Sequence, residues 1–177
     1  MYVGRLEAKK NILTLIEGFR RYKSDHGLGD PMQLVLVGTK GNEFSKIEEA
    51  IRQSGLSSSI RLTGYLSQKE KTVLFGSATA LVHPAWYEGF GFTPLEAMAA
   101  GCPVICSRAG SLPEIVGTQN ALWFDPSDAE AIAQLMDRLV QDEALQNTLR
   151  TRGLNWVSKY TWEETAHQTL EILTEWE

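Results

Sequence analysis

A chain of 177 residues can form one domain that buries roughly 68–70% of its unfolded surface. Its 43% hydrophobic and 22% charged residues are ordinary for a globular protein, which excludes a disordered or low-complexity chain. A net charge of -5 argues against a nucleic-acid or anionic-membrane binder, since those carry a basic face.

Tyr2-Val3-Gly4 ends a strand, and a chain that opens inside a sheet reads as a fragment of a longer polypeptide. Ile12, Leu15, Ile16, Phe19 and Tyr22 recur at helical spacing and predict a first helix ending near Gly27. Leu34-Val35-Leu36-Val37 is a continuous apolar run, as in a strand buried on both faces. Phe44, Ile47 and Ile51 mark a second helix that stops at Gly55, and Ile60 to Thr63 a third strand that ends at Gly64. Ser67 with Glu70 has the spacing of a capping box and opens a helix through Leu74 and Phe75. Thr79 to His83 is a fourth strand. Thr93-Pro94-Leu95-Glu96 opens the next helix, with Thr93 as N-cap and Pro94 at the first helical position. Val104 to Ser107 is a fifth strand, Ser111 to Val116 a short helix with Glu114 in its first turn, and Ala121 to Phe124 a sixth strand. Beyond Asp125-Pro126 the pattern is helical only, and the last stripe runs through Trp162, Ala166, Leu170 and Leu173.

Strands alternating with helices imply right-handed crossovers and an α/β fold, a doubly wound parallel six-stranded Rossmann-like sheet with C-terminal helices. Ligands of such sheets bind beyond the carboxyl ends of the strands. Those ends are Gly4-Arg5, Gly38-Thr39, Gly64-Tyr65, His83-Pro84 and Ser107-Arg108.

At the fourth of them stands EGFGFTPLE, with Glu88 and Glu96 at its two edges. Strand, glycine-punctuated loop and helix start together present backbone N–H groups to an anion. Carboxylates beside them suit sugar hydroxyls, which donate hydrogen bonds to them. A phosphate between two sets of sugar hydroxyls describes a nucleotide sugar. Arg5 and Lys10, at the first strand end and first helix start, are cations able to offset a diphosphate leaving group. Glu88 lies in a loop too constrained for mere solvent exposure. Glu96 is explained first as the acid of the Thr93 capping box, although the same carboxylate could also accept from a ribose. His83 reads as a structural residue beside the site, and Trp86 and Tyr87 can stack on a sugar or base or face a partner domain.

No Asp-x-Asp and no His/Cys/carboxylate cluster has metal-ligand spacing, so no metal or other cofactor is expected. Neither G-x-x-x-x-G-K-[ST] nor a G-x-G-x-x-G after the first strand is present. Cys102 and Cys106, the only cysteines, would lie roughly 13 Å apart along one strand, too far to bridge. That pattern, with no membrane-length apolar run, suits a reducing cytoplasm.

VGRL with Lys10, LVLVG, RLTGYLS and above all HPAWYEGFGFTPLEAMAAGCPVICSRAGSLPEIVG resemble the retaining glycosyltransferases of family four, the "glycosyl transferases group 1". The match covers essentially the whole chain, 1–177, as the single C-terminal, donor-binding domain of a two-domain GT-B enzyme. The resemblance implies that Arg5 and Lys10 hold the donor diphosphate, and that Glu88 with the backbone of Gly89, Phe90 and Gly91 contacts the transferred sugar and phosphates. It further implies that Glu96 binds the ribose and that Gly64, Tyr65 and Leu66 lie against the base. Many relatives read Pro-Ser where this chain has Pro84-Ala85, which removes one hydroxyl contact. Transfer with retention is implied, the donor phosphate helping to deprotonate the acceptor. Acceptor-binding residues belong to an N-terminal domain, the only part through which peripheral membrane contact would arise. The wording around Glu88 is most similar to mannosyltransferases that use GDP-mannose.

The expectation is therefore the donor-binding half of a hexosyltransferase, inactive or nearly so alone. The alternatives are a sugar-nucleotide 2-epimerase of the same fold and a non-catalytic nucleotide-sugar-binding module.

Overall fold

Short runs of Val, Leu and Ile pack well on both faces of a pleated sheet and so fold as buried strands. The computed structural model describes residues 1–27 and 29–174. Among them the strands are β1 (Tyr2–Val3), β2 (Leu34–Val37), β3 (Ile60–Gly64), β4 (Leu81–His83), β5 (Val104–Ser107) and β6 (Leu122–Phe124). The helices are α1 (Ile12–His26), α2 (Phe44–Gln53), α3 (Gln68–Ser77), α4 (Phe92–Ala99), α5 (Leu112–Val116), α6 (Ala129–Gln141), α7 (Glu143–Val157) and α8 (Trp162–Thr174). A 3-10 turn, Ala8–Lys10, precedes α1.

Every strand pairing is parallel, and the pairings form two three-stranded sheets, β1-β2-β3 and β4-β5-β6. The single six-stranded sheet expected from sequence is thus divided between β1 and β4. β1 has two residues, and both are laddered to β2. Among the described residues, Met1 supplies the backbone hydrogen bonds across the gap: its amino group donates to Ala80 O at 2.8 Å, and its carbonyl accepts from Val82 N–H at 2.8 Å. Side by side, the two sheets run in the order β3-β2-β1-β4-β5-β6. The strand order reverses between β1 and β4, which is where such folds open a crevice for ligand.

Alternation along the strands separates two cores. Leu34, Leu36, Val82 and Ile105 face α1, α2 and α6, while Val37, Leu81, Val104 and Cys106 face α4, α5 and Phe75 of α3. The capping box of α3 forms as the sequence predicts, Ser67 and Glu70 each accepting from the other's backbone N–H.

The start of α4 differs from expectation. Phe92 is its first residue, Gly91 at φ +106° is its N-cap, and no side chain caps it, so Thr93 and Glu96 form no capping box. Gly91 turns the chain into the helix two residues early. Pro94 then sits among first-turn positions whose N–H groups have no intrahelical acceptor, and its missing donor costs nothing there.

Candidate functional site

The loop from β4 to α4 is fastened by its carbonyls. Pro84 O accepts from Asn11 Nδ2 at 2.8 Å, and Ala85 O from the Ser107 hydroxyl at 2.7 Å. The Ser111 hydroxyl lies 3.0 Å from both Glu88 O and Phe90 O, and Ser111 N–H also donates to Glu88 O at 3.2 Å. A trans peptide points its N–H opposite to its C=O. The Gly89 and Gly91 amides therefore face away from Ser111, toward the rim. Among the described residues, the N–H groups of Gly89, Phe90 and Gly91 donate to no protein acceptor. Consecutive unpaired amides at a helix start are an anion-binding concavity.

The two glycines of this turn differ. Gly91 is required by the fold, because of its left-handed backbone and because a Cβ there would lie 2.9 Å from Leu112 Cδ2. Gly89 has an ordinary φ, and a Cβ on it would meet nothing within 4 Å. The space beside Gly89 is an open approach to the backbone.

Glu88 is about one-fifth exposed, and its Oε2 lies 3.2 Å from Lys10 Nζ and 3.3 Å from His83 Nε2. The hydrogen bond from His83 holds its carboxyl at about 2, below the usual 4.5; Lys10's charge acts in the same direction and burial opposes both. Burial, with Glu88's charge added, pushes the Cys106 thiol up, and burial also raises Cys102, to about 11. Both cysteines are free, buried and chemically quiet.

Lys10 is placed by its neighbour. Asn11 adopts a left-handed backbone at φ 60°, and its Nδ2 donates to Pro84 O and to Pro126 O at 2.6 Å, tying α1 to two rim loops. Arg5 stays apart from Lys10 and Glu88. It is exposed, with Glu7 at 3.9 Å as its charged neighbour, and its side chain runs past Gly41. Glu96 pairs with Lys71 of α3, whose Nζ lies 3.1 Å from Oε2 and 3.3 Å from Oε1. Gly64, at φ +75°, and the exposed Tyr65 close β3 on the far side of the rim, beside Leu66. Trp86 and Tyr87 are also exposed.

The structure thus brings together Glu88, Lys10 and His83 beside the free amides of Gly89–Gly91. It leaves Arg5 and Glu96 with partners of their own. Sequence reasoning missed Asn11, Lys71, Ser107 and Ser111 as builders of the site. All are common polar residue types whose partners lie at least 21 residues away in the chain. Among the described residues no three His, Cys, Asp or Glu side chains cluster as a metal would need. Nor, among the described residues, is any helix long and apolar enough to cross a membrane. An apolar cavity of about 40 Å³ lies at the other end of the strands, lined by Phe19, Tyr22, Leu34 and Met136.

The model of the family "Glycosyl transferases group 1" matches residues 1–156. O-antigen chain mannosyltransferase B of Escherichia coli is 33% identical over 170 residues, covering 96% of this chain and 44% of the relative. Sucrose-phosphate synthase from Thermosynechococcus elongatus superposes with a TM-score of 0.86 at 30% identity, over 98% of this chain and 44% of that one. Anabaena HepE in complex with UDP superposes with a TM-score of 0.86 at 20% identity, over 98% of this chain and 48% of that one. The chain spans just under half the length of each.

Proposed function

This chain belongs to the glycosyl transferases group 1 family, and from that premise we propose that it is the nucleotide-sugar-binding half of a GT-B glycosyltransferase. The observation that carries the proposal is the trio of unpaired amides at Gly89, Phe90 and Gly91 beside the Lys10–Glu88 pair, at the reversal of strand order.

In this reading the donor's diphosphate rests on those amides at the start of α4, and Lys10 turns from Glu88 to the phosphates. Arg5 swings in from its exposed position. Both cations and the helix N-terminus stabilise the negative charge that grows on the diphosphate as the bond to the sugar breaks. They supply the countercharge a divalent metal would otherwise bring, which supports a metal-independent reaction. Glu88 accepts from a hydroxyl of the sugar, Glu96 from the ribose, and Gly64-Tyr65-Leu66 flank the base. Transfer proceeds with retention, the departing phosphate drawing the proton from the acceptor.

The acceptor binds on a further, N-terminal domain, and the chain alone holds donor without turning it over. A mannosyl donor, GDP-mannose, fits the likeness to the O-antigen mannosyltransferase better than other hexoses do. That likeness also favours transfer in polysaccharide synthesis over epimerisation or a binding module, and the two free, buried cysteines suit a reducing cytoplasm.

A thermal-shift panel of UDP-, GDP- and ADP-sugars on this chain tests the proposal. A donor at one hundred times its dissociation constant should raise the Tm by about 5–10 °C. A panel in which no nucleoside diphosphate or its sugar shifts the Tm would overturn the reading.

A further inference from the structure

His83 is the last residue of β4, paired in register with Cys106 of β5, and only 4% of it is exposed. Its Nε2 lies 3.3 Å from Glu88 Oε2, while its Nδ1 is buried without any hydrogen-bond partner. A proton on Nδ1 would be a buried donor with no acceptor, so the ring carries its proton on Nε2 and donates to Glu88. An apolar side chain of similar size would fill the same space and leave no bare nitrogen. What the imidazole adds over such a side chain is its bond to Glu88.

Two donors converge on the same carboxylate oxygen, and they differ in kind. Lys10 reaches Oε2 at 3.2 Å on a flexible stem, with 27% of its side chain exposed. In the reading given above it leaves for the diphosphate when donor binds. His83 has two rotatable bonds, is enclosed between strands and has nowhere to go. Glu88 Oε1 accepts no hydrogen bond from the described residues. It is the atom left free for a ligand.

We propose that His83 is a positioning residue of the donor site: its Nε2–H keeps the Glu88 carboxylate in place once Lys10 has turned to the diphosphate, so that Oε1 meets a hydroxyl of the transferred sugar. This inference rests on the donor-site reading and deepens it. It assigns to His83 the discrimination between a nucleotide sugar and the bare nucleotide, because Glu88 touches the sugar and the amides hold the phosphates.

The test compares GDP with GDP-mannose, and UDP with UDP-glucose in parallel, by calorimetry on the wild-type chain, His83→Phe and His83→Gln. His83→Phe should lower nucleotide-sugar affinity by about tenfold and leave nucleoside diphosphate affinity within about twofold. His83→Gln, whose amide still donates, should recover most of the loss. Equal losses for sugar and bare nucleotide, or no loss at all, would overturn the inference while leaving the donor site standing. No binding of any nucleotide to the wild-type chain would instead remove the donor site and this inference with it. The imidazole nitrogen shifts of the wild-type chain give a test independent of whether the variants fold. They should report the Nε2–H tautomer, and an Nδ1–H tautomer contradicts the proposal.

Discussion

Glu88 and Glu96 flank one helix start, yet each keeps its own cation, Lys10 in one case and Lys71 in the other. The Glu96 pairing matters for what a mutation there would read. No cap is lost with it, so Glu96→Ala should weaken a ribonucleoside diphosphate about fivefold to tenfold and leave its 2′,3′-dideoxy counterpart unaffected. Equal weakening of both in calorimetry would show that the acid does not meet the ribose. Glu88 makes a pH prediction. Its carboxyl sits at about 2 rather than 4.5, so it stabilises the fold fully above pH 4.5, and that contribution is lost as pH falls from 4.5 toward 2. Unfolding free energies of wild type and Glu88→Gln should therefore stay a constant interval apart above pH 4.5 and converge on the acid side. A constant interval throughout would contradict the hold that the His83 hydrogen bond and the Lys10 charge exert on this carboxylate. Glu88 was legible in the sequence because glycines and a strand end crowd around it. The partner of Glu96 was not, since Lys71 lies 25 residues away on another helix. A local capping box offered a complete explanation until Gly91 was found to start the helix instead.

The loop between β4 and α4 keeps its shape because three other elements hold its carbonyls, through Asn11, Ser107 and Ser111. Asn11 is the most heavily used, with two carbonyls on its amide and the Thr14 hydroxyl donating to its oxygen at 2.6 Å. Asn11→Gly keeps the left-handed turn and deletes only these bonds. It should cost about 2 kcal/mol and lower the Tm by about 4–8 °C, with donor affinity falling as Lys10 and Pro84 lose their alignment. An unchanged Tm would show that the clamp is incidental. At this scale the strands were the readable part: β2 and β5 occupy the residues that their apolar runs mark. The start of α4 was not readable, because Pro94 is compatible with any first-turn position and Thr93 is a capable N-cap. Only the φ of Gly91, a property of the folded turn, decides between them.

For the whole molecule, the doubly wound parallel fold follows from alternating strands and helices, and the reversal between β1 and β4 places every proposed ligand contact on one rim. The division of the sheet was not visible beforehand, since an apolar run marks a strand and says nothing of which backbone groups pair with which neighbour. The stripe on α8 illustrates the same boundary. Its period marks an amphipathic helix, yet Trp162, Leu170 and Leu173 stay exposed and no residue of α8 is buried. Periodicity reports which face is apolar and says nothing of what covers it. The central claim, that a diphosphate sits on the amides at the β4–α4 turn, is tested most directly by amide chemical-shift mapping of the chain titrated with GDP and with UDP. The account predicts the largest shifts at Gly89, Phe90 and Gly91, with smaller ones at Lys10 and Glu96. Shifts confined to the opposite end of the strands, around Phe19, Leu34 and Met136, with the Gly89–Gly91 amides unmoved, would contradict it.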